Sequence, residues 1–194
     1  MLALTAALQE VVIKICSSIL SISVLVIWVT ACTDFVIIKL IITDVSVKSS
    51  KLMSKYLDQI KDFERIGDHC KNLFGFFKER YENEMELSID GTQDLKQIYQ
   101  VLVDMSDLTT TAIKKWSSDE AYSALKCETE IDKLEEVFHG RHVHRINTGA
   151  CSVLNSEHFV EVLANVERMG DHMENICESI AGLDHLSLSI NTKD

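Results

Sequence analysis

Two copies of one nine-residue string organise this chain. The first runs Glu64-Arg65-Ile66-Gly67-Asp68-His69-Cys70-Lys71-Asn72, and the second runs Glu167-Arg168-Met169-Gly170-Asp171-His172-Met173-Glu174-Asn175. Six of the nine positions are identical, and the copies start 103 residues apart in a chain of 194. A repeat at half the chain length implies two copies of one structural unit.

Helical geometry gives the string a meaning. Glu64 and Asp68, like Glu167 and Asp171, are four apart and so are neighbours on one helix face. Met53, Leu57 and Ile60 lead into the first pair, and Val160 and Leu163 into the second, so each acid pair continues an apolar stripe. Carboxylates on a core-facing stripe are costly unless paired, hydrogen-bonded or metal-bound. Gly67 and Gly170 each give up about 1 kcal/mol of helix propensity, which predicts close approach of a neighbouring helix. His69 and His172 are rotated off the acid stripe and suit hydrogen-bonded helix packing better than ligation.

The rest of the chain is read around these strings. There is no proline, so long uninterrupted helices are easy to build. The spacing predicts helices over 49–87, 93–115, 119–147 and from Asn155 or Ser156 to about Ala181. Phe74, Phe76 and Phe77 are read as core. Ser88-Ile89-Asp90-Gly91-Thr92 is the turn signal between the repeats, and Thr148-Gly149 stops the third helix. Glu128 and Asp132 form a third acid pair four apart. The fold class is therefore all-α, with two pseudo-repeated antiparallel three-helix bundles. The first covers 1–88 and is irregular, the second covers 92–183, and 184–194 is a polar tail.

Residues 15–33 carry no charge in nineteen positions and meet the hydropathy criterion for a membrane span. Serines and threonines dilute the stretch, and no basic region precedes it as a secretory signal requires. The preferred reading is a helical hairpin packed within the fold. The net charge is −11 and all of the excess acid lies beyond residue 48, which excludes nucleic acid as a partner. The same acidity excludes a bare phosphate-binding surface; phosphate would need a cation or a local arginine cluster. His139, His142 and His144 gather with Arg141 and Arg145 near a helix end, where cations suit the helix dipole and an anion or partner could dock. The six cysteines form no Cys-x-x-Cys pair, which fits reduced, buried thiols. No phosphate-binding glycine loop or nucleophile elbow occurs, and the only Glu-x-x-His, Glu136 to His139, lies off the repeat. Catalysis is not expected; a carboxylate-bridged metalloenzyme is the remaining enzymatic alternative.

The paired strings resemble the repeated signature of the PhoU phosphate-uptake regulator family. Arg141, His144, Arg145, Asn147, Gly149, Cys151 and Ser152 make the chain similar to the PhoU-like cytoplasmic domain of bacterial sodium/phosphate cotransporters. The resemblance runs from about Ser50 to Ile180 and is poor over 15–48, where the family's acid pair is missing. It implies a regulator of phosphate uptake working through protein partners, or through the membrane domain of its own transporter. A free-standing PhoU acting on a phosphate ABC transporter and its sensor kinase is the alternative. It also implies a cytoplasmic location at the inner face of the cell membrane, and leaves a homo-oligomer open. From spacing alone, the acid pairs could converge on a cation or pair with arginine and lysine. The resemblance implies metal ions, iron or zinc, held at Glu128, Asp132, Glu167 and Asp171, and in the first half at Glu64 and Asp68.

Overall fold

The computed structural model describes the backbone over residues 47–83, 87–151 and 156–190, with side chains over 54–83, 87–151 and 158–182. Four helices make up these residues: α1 Val47–Glu82, α2 Ile89–Lys115, α3 Ser118–Asn147 and α4 Ser156–Ile190. There is no strand among them, and the protein is all-α. The expected hairpin at 15–33, the rest of the first bundle's opening helices and the last residues of the tail lie outside the described residues. No helix among the described residues is long and apolar enough to cross a membrane.

Local sequence sets the helix ends. Ser88 caps α2 by accepting the Gly91 N–H on its hydroxyl. The helix therefore opens at Ile89 and takes in Gly91 and Thr92, which the turn signal had placed outside it. Trp116 closes α2 in the left-handed region at φ 52°, and Tyr56 of α1 lies against its ring. Ser117 and Glu120 spell a capping box for α3. The Ser117 hydroxyl bonds to the Glu120 carboxylate instead of a backbone amide. That bond and Lys115 lower the Glu120 pKa to about 2. α3 ends as expected at Gly149, φ 70°, where Gly149 N–H donates to the Ile146 carbonyl and Ala150 N–H to that of Arg145.

α4 is central: α1, α2 and α3 all pack on it, and α2 also packs on α3. Leu163, Val166, Met169, Met173, Ile176, Cys177 and Ile180 are buried along it. Leu95, Ile98, Leu102 and Met105 of α2 and Ile131, Leu134 and Phe138 of α3 complete the core. α2, α3 and α4 thus form the expected second bundle. α1 contributes Ile66, Cys70 and Leu73 to the core and presents its other side outward. Leu57 is 41% exposed and Phe74 62% exposed, so neither is core among the described residues.

The repeat shows directly in the seam between α1 and α4, which run antiparallel. His69 Nδ1 bonds to Asn165 Oδ1 at 2.8 Å, and Asn72 Nδ2 donates to the same oxygen at 3.2 Å. Across the seam, His172 Nδ1 bonds to Asp62 Oδ1 at 2.9 Å, and Asn175 Nδ2 donates to it at 3.3 Å. Positions 62, 69 and 72 correspond to 165, 172 and 175 by the repeat offset, so a pseudo-twofold axis relates the two clusters. The rings of His69 and His172 stack on that axis, with centroids 5.7 Å apart. The motif histidines are thus helix-packing residues. A Cβ on Gly170 would make ordinary contact with Ile131 of α3, and among the described residues one on Gly67 would meet nothing within 4 Å.

Candidate metal centre

Glu128 and Asp132 are one turn apart on α3, and Glu167, Asp171 and Glu174 are spaced by four and three on α4. Close packing of these helices, with Ile131 against Gly170, sets the acids beside each other. One carboxylate oxygen each from Glu128, Asp171 and Glu174 lies within 4.8 Å of the others. Divalent cations hold oxygens at roughly 2.0–2.6 Å, so ligands on opposite sides of an ion are about 4–5 Å apart. The donor set matches one hard cation in size and chemistry.

Electrostatics agree with the geometry. Glu128 is 8% exposed. Burial first, then Glu174, Asp132 and Asp171, push its pKa up to about 7. Burial and the charges of Asp171 and Asp132 raise Glu167, against the pull of Arg168. Burial, Glu178 and Asp171 raise Glu174. Among the described residues no lysine, arginine or histidine makes an ion pair with Glu128, Asp132, Glu167, Asp171 or Glu174. Ion pairing among the described residues therefore does not account for these acids.

Of the four second-half residues named from the sequence, Glu128 and Asp171 lie in the three-oxygen group, and Asp132 and Glu167 lie outside it. Asp132 acts on both Glu128 and Glu167, and Asp171 acts on Glu167. Glu174 was missed. It sits inside the repeated string, where the first copy has Lys71, and its i+3 spacing from Asp171 was the available signal. Glu64 and Asp68 are exposed on α1, and among the described residues no third ligand joins them. The face they present is not the one that packs on α4, which carries Ile66, Cys70 and Leu73.

Residues 95–180 match the PhoU domain family. The match contains α3, α4 as far as Ile180, and every residue of the acid cluster. Over 119 residues, 61% of the chain, the sequence is 26% identical to a phosphate-specific transport system accessory protein, PhoU homolog 1, of Thermotoga maritima. The chain spans about half the length of that curated relative, 50%. The crystal structure of PhoU from Pseudomonas aeruginosa superposes with a TM-score of 0.73, covering 95% of this chain and 93% of that one at 18% identity. PhoU from Streptococcus pneumoniae, a phosphate transport system regulatory protein, gives 0.67 over 94% and 90%, also at 18%. These likenesses establish the PhoU fold.

Proposed function

We propose that the chain is a PhoU-type regulator of phosphate transport that holds a metal ion between α3 and α4 and acts by docking helix faces on protein partners. One observation carries the metal reading: Glu128, Asp171 and Glu174 converge without an ion-pair partner, inside the matched PhoU domain. Glu128 and Asp171 would be central ligands, with Asp132 and Glu167 in reach and Glu174 completing the set. A bound cation would cancel the mutual repulsion of these carboxylates and tie α3 to α4. The all-oxygen donors suit iron, manganese or magnesium better than zinc. Glu64 and Asp68 form a second candidate pair, on the first half. The regulatory reading is supported by the family match and by the Thermotoga relative's name. The stretch from Arg141 to Ser152 favours the cytoplasmic domain of a sodium/phosphate cotransporter, at the inner face of the membrane. A free-standing regulator of an ABC transporter fits the same residues, and a membrane domain encoded in the same reading frame would decide for the cotransporter.

Elemental analysis and melting curves test the metal. Metal at a hundredfold excess over its dissociation constant should stabilise the protein by about 2.7 kcal/mol. Asp171→Asn should bind less metal and lose most of that increment. Metal-free Asp171→Asn should be no less stable than metal-free wild type, because one repelling charge is gone. Unchanged melting with metal, and none in the purified protein, would reduce the cluster to solvated acids.

A further inference from the structure

We propose that the joint between α2 and α3 binds a small tetrahedral oxyanion, of the phosphate and sulfate class, between the Arg145 guanidinium and the first turn of α2. The acid cluster takes no part in this site. Arg145, in the last turn of α3, is 7% exposed. Its Nη1 donates to Asp94 Oδ2 at 2.6 Å, while its Nε and Nη2 are buried with no hydrogen-bond partner. Buried, unsatisfied donors on a charged group are costly, and such groups mark a missing water, ion or ligand. Nε and Nη2 form one edge of a planar fork that matches two oxygens of a tetrahedral anion.

The surroundings favour an anion over a neutral molecule. Nη2 stands 3.7 Å from where a Cβ on Gly91 would lie, so the free edge faces the third residue of a 27-residue helix. The Gly91 and Thr92 amides are already held by Ser88, so what this helix start adds beside the guanidinium is the partial positive charge of its N-terminus. Arg141 Nη1 also donates to Asp94, at 2.9 Å, so two guanidinium groups share one buried carboxylate and a positive charge is left over. Asp90, in the same turn, is exposed. Phe159 closes the other side: the Arg145 guanidinium lies 5.0 Å from its ring centroid, and His142 stacks on it at 4.4 Å. The free nitrogens have no solvent contact, so the anion enters as the first turn of α2 lifts from Arg145. Binding at this joint would couple ligand to the angle between α2 and α3.

The test is calorimetric titration of the full chain, freed of metal with a chelator, against inorganic phosphate, sulfate and chloride at matched ionic strength. One equivalent of phosphate or sulfate should bind, and chloride should not compete. Arg145→Lys keeps the charge but loses the fork, and should weaken binding at least about tenfold, the ratio for one charge-assisted hydrogen bond. Should that variant unfold, Gly91→Ala serves instead: its methyl would sit 3.7 Å from Nη2 and 2.9 Å from Ser88 Oγ, so Ser88→Ala is measured beside it to separate a lost cap from a blocked site. Glu130→Gln, at an exposed position of α3, should bind the anion as wild type does. Absence of binding to wild type with phosphate and sulfate in large excess overturns the proposal, as does loss of binding in Glu130→Gln. Neither result bears on whether the chain regulates transport, because the measurement needs no transporter.

Discussion

At the scale of single residues, Glu128 concentrates the unusual chemistry. Its folded pKa of about 7 lies above the ordinary 4.5, so the metal-free folded state binds a proton that the unfolded chain has released between those values. Folding stability is then fully present below about pH 4.5 and falls as pH rises through 7. The loss should be on the order of 3 kcal/mol, and denaturant titrations of the chelated protein at a series of pH values would measure it. In Glu128→Gln that slope should flatten, and added metal should flatten it in wild type by taking the proton's place. The sequence placed this residue on the right helix and beside the right partners. It could not show Glu174 joining, because i+3 neighbours on one helix converge on a second helix only at a crossing that tertiary packing sets. Nor could it show Arg145 holding Asp94, since those residues are 51 apart and meet only when α3 folds back on α2.

At the scale of elements, the α1–α4 seam decides how the halves relate. Asp62 accepts from both His172 and Asn175, so Asp62→Ala leaves two donors on α4 without their partner. A cost of about 1–2 kcal/mol is expected for this half-exposed cluster. In a double-mutant cycle with His172→Ala the coupling should account for most of it, whereas Asp62→Ala and Asn165→Ala, in separate clusters, should add. Helix number and type were legible from hydrophobic period, serine caps and the glycine stop at Gly149, all local signals. Which face of α1 is buried was not. Period alone marks stripes through Leu57 and Ile60 and through Phe63 and Cys70, and only the position of α4 selects the second. The start of α2 was set late for a similar reason. Asp90-Gly91-Thr92 reads as a turn, but the Ser88 cap and the burial of Gly91, Thr92 and Asp94 against α3 and α4 hold those residues helical.

At the scale of the whole molecule, every described helix depends on α4. Leu163 is fully buried near its N-terminal end, and Leu163→Ala should cost about 2–5 kcal/mol with a single cooperative transition. A biphasic denaturant curve would mean that α1 unfolds apart from the second bundle. The twofold character of the seam has a further meaning. Contacts in which a residue at one position meets the counterpart of its own partner are those of an isologous dimer. Here both protomers are written into one polypeptide. The linker supplies the partner at a fixed effective concentration, so this pairing survives any dilution. Fusion also frees the two sides from identity. An obligate homodimer must carry each substitution twice, whereas this chain keeps Lys71 on one side and Glu174, within the acid cluster, on the other. Covalent linkage is what lets a symmetric scaffold carry different charges at matching positions of its two sides.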